Sequence, residues 1–118
     1  MAEQVLADNE KNYVVHLTNE TSPYTVDVSA LEPSSKYGNV TRVKLDKVKY
    51  STDANILLSW DATTDVEFLD LEVGQDCFDF QDVGGLNNTK AAGYTGDVIV
   101  TTSATNWFAT LYFTKKYD

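Results

Sequence analysis

The stretch Ile56–Phe80, ILLSWDATTDVEFLDLEVGQDCFDF, carries the strongest structural signal in the chain. Ile56, Leu58 and Trp60 lie on one face of a predicted strand, because successive side chains of a strand point to opposite sides. A polar turn at Ala62–Thr64 joins this strand to a second one. This stretch is the richest source of large apolar side chains in the sequence, so we expect it to supply the centre of the core.

The end of the same stretch predicts a third strand, which follows a turn at Gly74–Asp76 and places Phe78 and Phe80 on one face. Within it lies Cys77, the single cysteine of the chain, so a disulfide within the chain is excluded. A reactive thiolate favours basic surroundings, whereas the neighbours of Cys77 are carboxylates and aromatic rings. We therefore expect Cys77 to be a buried, inert thiol.

Short alternating stretches recur along the chain at the spacing of about 8–12 residues that is typical of sandwiches and small barrels. Outside the opening stretch they are Tyr13–Thr18, Tyr24–Ser29, Val40–Tyr50, Asp97–Thr102 and Trp107–Thr114. We predict an all-β fold, an antiparallel β-sandwich or small β-barrel of about eight short strands. It forms a single domain over residues 1–118, with residues 1–11 as an extended N-terminal arm, the alternative being a short helix there.

The longest of these stretches changes phase in its middle. Val43 and Leu45 fall on odd positions, whereas Val48 and Tyr50 fall on even ones. The change occurs at Asp46–Lys47, and one extra residue in a strand has this effect. The sequence therefore predicts a bulge or a bend at that point.

The charge balance is strongly acidic. The formal net charge at pH 7 is −9, which disfavours binding to nucleic acid and to anionic membranes. The one basic cluster consists of Arg42, Lys44, Lys47 and Lys49 and alternates with apolar residues, so it indicates the solvated face of a strand rather than a polyanion site. The N-terminal residues lack the basic start and apolar middle of a signal peptide, so we expect synthesis in a cytoplasm.

The residues that could carry chemistry do not form a specific pattern. The single histidine, His16, lacks the partners of a catalytic triad or a metal site, and a structural or surface role is expected for it. Nine of the eighteen carboxylates lie in Asp53–Asp82, which indicates a solvated acidic face. The alternatives are a glycosidase pair and a calcium site, built from Asp61 and Asp65 or from Asp76, Asp79 and Asp82. We predict no catalytic residue, no metal ligand and no cofactor.

Aromatic side chains fall on both faces of the last predicted strand, which suggests burial on both sides. One side would be the core and the other a contact with a subunit or partner. The interface candidates are Trp107, Phe108, Tyr112 and Tyr94. Stacking on sugar rings is the alternative for Tyr37, Tyr94 and Trp107, and for Trp107 the core or a subunit interface is favoured.

Several short motifs in the last two thirds of the chain resemble a known family. They are Ser59–Asp65 (SWDATTD), Asp79–Phe80, Gly84–Gly85, Gly93–Asp97 (GYTGD) and Lys115–Tyr117 (KKY). Together they resemble small virion structural proteins of tailed phages that infect marine and aquatic bacteria, including cyanophages. The resemblance covers about residues 40–118.

The resemblance implies a capsid decoration, or cement, protein that binds the major capsid protein on the outer surface of the virion. It also implies a homo-oligomer, a trimer or a dimer, because several symmetric copies that bind together turn a weak single contact into stable attachment. The alternatives are a tail, baseplate or fibre module and a carbohydrate-binding β-sandwich module. Each of these is a non-enzymatic role.

Overall fold

In the computed structural model, which describes residues 2–19 and 22–117, two antiparallel sheets pack face to face as a β-sandwich. This confirms the predicted all-β class. The limits of the predicted domain, Met1 and Asp118, lie outside the described residues. None of the described residues forms a helix long and apolar enough to cross a membrane.

The strands of sheet A are β1 Ala2–Asp8, β2 Asn12–Thr18, β4 Arg42–Thr52, β7 Gly74–Asp79, β8 Leu86–Asn87 and β10 Trp107–Lys116. The strands of sheet B are β3 Tyr24–Val26, β5 Ile56–Trp60, β6 Val66–Leu71 and β9 Val98–Thr102. Sheet A has the strand order β1-β2-β10-β4-β7, with β8 also paired to β4, and sheet B has the order β3-β9-β5-β6.

The core lies between the two sheets, and β5 is at its centre as predicted. Ile56 and Leu58 have no exposed surface, and Trp60 is buried with them. The indole of Trp60 stacks on the ring of Phe68 from β6 at 3.9 Å between centroids. The two ring planes are 11° apart, and stacked aromatic pairs add about 0.5–1.5 kcal/mol to what burial alone contributes.

The predicted change of phase in β4 is a bulge at Asp46. Lys47 pairs with Tyr112 of β10, whereas Leu45 pairs with Phe113, so Asp46 is the extra residue between them. Its carboxylate accepts a hydrogen bond from the hydroxyl of Thr114. The bulge keeps the apolar residues on both sides of Asp46 directed into the core.

The predicted third strand differs from expectation in its position. It begins at Gly74 itself, so the turn comes earlier than Gly74–Asp76, and the strand pairs with β4 at the edge of sheet A. All of its residues are exposed, including Cys77, so the prediction of a buried thiol is wrong. An edge strand has a neighbour on one side only, and here the ring of Phe78 covers Tyr50 while remaining 37% exposed.

Within residues 2–19 and 22–117 ten strands form, where the sequence predicted about eight. Of the residues predicted as an N-terminal arm, Ala2–Asp8 form the strand β1 and pair along β2, whereas Met1 lies outside the described residues. The second additional strand is β8, within the loop that follows β7. The predicted strand Tyr24–Ser29 ends at Val26, because the side chain of Asp27 accepts the N–H of Ser29 and caps a 3₁₀ turn.

A buried ion pair ties the two ends of the chain together. The side chain of Lys115 in β10 is fully buried and forms an ion pair with Asp8 of β1. Its Nζ also donates a hydrogen bond to the backbone oxygen of Glu32 at 2.7 Å. The Asp8 carboxylate accepts the backbone N–H of Glu32 as well, at 3.1 Å. A buried ammonium without such acceptors is costly, so these contacts hold β1 and the loop at Glu32 against β10.

We predict that Lys115→Ala lowers the free energy of unfolding by roughly 3 kcal/mol, because breaking a buried pair leaves the remaining charge poorly compensated. Urea denaturation followed by tryptophan fluorescence would measure the change. Lys116→Ala is the matched control, since Lys116 is the next residue of β10 on the outer side of the sheet, and it should stay within about 0.5 kcal/mol of the parent. Equal effects of the two substitutions would contradict a structural role for the ion pair.

Asp53 holds the turn that leads into β10. Its carboxylate accepts hydrogen bonds from the backbone N–H of Thr105 at 3.0 Å, from the hydroxyl of Thr105 at 2.7 Å and from the N–H of Asn106 at 3.1 Å. The hydrogen bond from the Thr105 hydroxyl is the main reason that the pKa of Asp53 lies below its usual value. The ionised form is therefore the one that stabilises the folded state.

We predict that Asp53→Asn lowers the melting temperature at pH 7 and that the difference from the parent shrinks as the pH falls below about 4. A carboxyl group with a lowered pKa contributes stability above its unfolded pKa and loses it as the pH falls through its folded pKa. Melting curves from pH 7 to pH 3, roughly one unit apart, would show this. Asp82→Asn removes the same charge from the loop after β7 and should leave the pH profile of stability close to that of the parent.

Candidate binding surface

The outer face of sheet A, which points away from sheet B, combines aromatic and basic side chains at its centre. We call it the basic face. It is formed by Val14, His16, Arg42, Lys44, Lys47, Lys49, Phe108, Thr110, Tyr112 and Lys116. These positions alternate with core residues along β2, β4 and β10, which is why they share one side of the sheet.

One cross-strand row shows how the face is built. From edge to edge it runs through Gln4, His16, Thr110, Lys49 and Cys77, one residue from each strand of the sheet path. His16 Nδ1 and Thr110 Oγ1 share a hydrogen bond at 2.7 Å, and Thr110 is only 7% exposed. His16 therefore packs over Thr110 as part of the surface.

The two aromatic rings of the face are half-buried, and each has a neighbour on one side. The ring of Phe108 contacts the imidazole of His16 at 5.7 Å between centroids. The ammonium of Lys47 lies 5.5 Å from the centroid of Tyr112, a cation–π contact worth about 0.5–1 kcal/mol at an exposed site. Aromatic side chains are enriched at the centre of protein interfaces, so Phe108 and Tyr112 mark this face as a candidate contact.

The basic face carries five of the nine Lys and Arg residues of a chain whose net charge is −9. The opposite outer face, on sheet B, has the reverse character. Its four strands contain no Lys or Arg among the described residues, and Glu67 and Asp70 of β6 are exposed. These two carboxylates border a shallow groove of about 440 Å³ that also includes Leu57. The sandwich thus has one basic and one acidic side.

Phe108 and Tyr112, two of the four predicted interface residues, come together on the basic face. Trp107, the third predicted interface residue, is 5% exposed and lies in the core, because position 107 of β10 faces sheet B and not the outer side. Tyr94 is 37% exposed in the loop before β9, away from the basic face, where its N–H donates to the backbone oxygen of Ala91.

The sequence did not single out Lys47, Lys49 and His16 as members of one surface with these aromatic residues. The signal was present in part, because the alternation around Lys47 and Lys49 predicted an exposed strand face. That this face lies beside Phe108 and Tyr112 follows only from the pairing of β10 with β4.

The carboxylates of Asp53–Asp82 mostly support nearby loops. Asp65 accepts the backbone N–H of Ala62 at 3.1 Å, and Asp79 accepts that of Gln81 at 2.9 Å. Asp61 accepts the hydroxyl of Thr95 at 2.8 Å. Among residues 2–19 and 22–117, no group of three or more His, Cys, Asp or Glu residues is arranged to hold a metal ion.

A second aromatic surface lies at one end of the sandwich. Tyr37 is 63% exposed and stacks on Tyr117 at 5.8 Å between centroids. The two rings border a shallow depression of about 280 Å³ together with Lys36, whose ammonium lies 5.1 Å from the ring of Tyr37. This is the place where the described structure could accept a sugar ring by stacking.

Comparison of the chain with protein-family models, with curated protein sequences and with solved structures finds no match. Function is therefore inferred from the geometry of the basic face together with the resemblance described above.

We predict that Cys77 in the folded protein reacts fully with a maleimide probe, because its side chain lies on the exposed edge strand β7. It is the only cysteine, so the label is specific to one end of the row that crosses the basic face. Mass spectrometry of the native protein should show one label per chain without denaturant. A thiol that reacts only after unfolding would contradict the exposed position of β7.

Proposed function

We propose that this protein is a non-enzymatic virion structural protein, a capsid decoration protein that binds the major capsid protein on the outside of a phage particle. The observation that carries the proposal is the basic face, where Phe108 and Tyr112 lie within a patch of lysines on an uncovered sheet. A decoration protein requires a rigid core, an adhesive face and a soluble outer side, and the two faces of this sandwich fit the last two requirements.

The choice of the major capsid protein as partner rests on the resemblance of several motifs to phage virion proteins, and the geometry of the basic face supports a protein contact in general. The proposed location is the capsid surface after synthesis in the host cytoplasm. A dimer or trimer is proposed as the working form, because symmetric copies bound to a repeated lattice turn a weak single contact into a stable one.

The first experiment is to count copies in purified virions of the source phage relative to the major capsid protein, by quantitative mass spectrometry. Hundreds of copies in a particle are expected for a protein spread over the lattice. A few to a few tens would assign it to the tail, baseplate or fibres instead. Absence from the particle would overturn the virion proposal.

For the contact itself, we predict that Phe108→Ala with Tyr112→Ala weakens binding to capsids by about 30-fold, the equivalent of about 2 kcal/mol for loss of an aromatic anchor. Co-sedimentation of labelled protein with capsids that lack it would measure the affinity. Tyr94→Ala is the control, since Tyr94 is an exposed ring outside the basic face. Both proteins must first show normal melting curves. Equal binding by the double variant and the control would argue against this face as the contact.

A carbohydrate-binding module is the second candidate, and the exposed stack of Tyr37 on Tyr117 is the observation that favours it. If a sugar ring stacks on Tyr37, substitution of Tyr37 should weaken polysaccharide binding. Substitution of Phe108 and Tyr112 should leave that binding unchanged. Affinity electrophoresis in gels containing host surface polysaccharide separates the two candidates, with Tyr37→Ala as the diagnostic variant.

A further inference from the structure

We infer that the surface bound by the basic face is an acidic protein surface, with carboxylates arranged around an apolar centre. This inference rests on the proposed function, and it specifies the chemistry of the partner and the orientation of docking.

The basic residues are concentrated on one side of an acidic protein. Five of nine lie on this face although carboxylates outnumber Lys and Arg by two to one in the chain as a whole. The acidic residue in the middle of β4, Asp46, is 9% exposed and is held by Thr114 and by Lys44, whose Nζ lies 3.8 Å from its carboxylate. A second carboxylate, that of Asp79 in β7, is exposed opposite Lys47 and accepts the N–H of Gln81. The face thus carries five cations against these two carboxylates, and its net charge is positive.

The remaining surface determines the orientation. An acidic partner is attracted by the basic face and repelled by the outer face of sheet B, which exposes Glu67 and Asp70. Such a contrast between two sides of a small protein steers its approach as well as stabilising the bound state. The basic face thus turns toward the partner, and sheet B with its acidic turns remains in solvent.

The overall charge favours a protein over a nucleic acid, because a chain with a net charge of −9 is repelled by a phosphate backbone. Lys47 lies over the ring of Tyr112, and His16 packs against Phe108. The other side of each ring is available for apolar and cation–π contacts with side chains of a partner protein.

A second copy of this chain could offer its own acidic face to the basic face. That contact would be head-to-tail, so it would lead to open chains or rings of the protein alone. The acidic face of sheet B presents only Glu67 and Asp70 on its strands against five cations, and each added copy also brings a net charge of −9. The charges therefore fit a separate acidic partner better than self-association.

The test reverses the charge of two residues at the centre of the face, Lys47→Glu with Lys49→Glu. The control is Lys11→Glu with Lys36→Glu, which makes the same change of net charge at exposed loop positions outside the face. Binding to capsids is measured by co-sedimentation at ionic strengths from about 0.05 to 0.5 M, a range over which screening increases strongly. We expect at least a tenfold loss of affinity at low salt for the first variant, about threefold or less for the control, and binding by the parent that weakens with salt.

Three probes of defined chemistry accompany the capsid assay. Poly-L-glutamate represents an acidic polypeptide and oligothymidine represents a nucleic acid, and sedimentation equilibrium of the protein alone reports self-association. Binding of poly-L-glutamate that is lost in Lys47→Glu with Lys49→Glu supports the inference. If oligothymidine binds more tightly than poly-L-glutamate and through the same lysines, the inference is overturned in favour of a nucleic acid. Self-association of the parent protein would overturn the inference in favour of a second copy if two variants each abolish it. These are the variant with both lysines reversed and the variant Glu67→Lys with Asp70→Lys.

The failures of the two proposals are distinguishable. Capsid binding that neither salt nor charge reversal affects would overturn the acidic-partner inference and leave the decoration role standing. Face-dependent binding of poly-L-glutamate by a protein that does not bind capsids would overturn the decoration role and leave the inference standing. The extent of maleimide labelling of Cys77 adds an independent readout. A partner docked over the row that ends at Cys77 should shield this thiol from the reaction.

Discussion

The pairing of β10 with β2 on one side and β4 on the other is the constraint on which the rest of the structure depends. β10 is the middle strand of sheet A, so it directs Leu111 and Phe113 into the core and Phe108 and Tyr112 outward. Because it lies at the end of the chain, the sheet is completed only by contacts between residues far apart in sequence. The buried ion pair of Lys115 with Asp8 stabilises the same long-range closure.

The bulge at Asp46 connects this pairing to the proposed function. Without an extra residue in β4, the alternation of Val43 and Leu45 would continue and Lys47 and Lys49 would point into the core, because a shift of one residue reverses every side chain that follows. The bulge restores apolar residues to the core and places Lys47 opposite Tyr112 and Lys49 opposite Thr110 on the outer side of the sheet. A local irregularity in the backbone thus creates the basic face on one side of a sandwich whose other side is acidic.

Much of the strand pattern was predictable, since alternation is a local property. The strands at Tyr13–Thr18 and Ile56–Trp60 and the change of phase at Asp46–Lys47 are confirmed. The burial of Cys77 was predicted wrongly, because its aromatic neighbours are equally compatible with a core strand and with an edge strand. Whether the segment becomes a core strand or an edge strand depends on how many other strands pair with it. The local sequence does not contain that information.

The all-β class, the buried side of each strong strand and the acidic balance of charge are encoded locally, because they depend on residue type and on period-two alternation. The assignment of β5 and β6 to one sheet and of β7 to the other, and the position of Phe108 and Tyr112 beside the lysines of β4, depend on the folded arrangement. The physical reason is that neighbours within a sheet are selected by hydrogen bonds and packing between distant segments, whereas alternation describes only the strand in which it occurs.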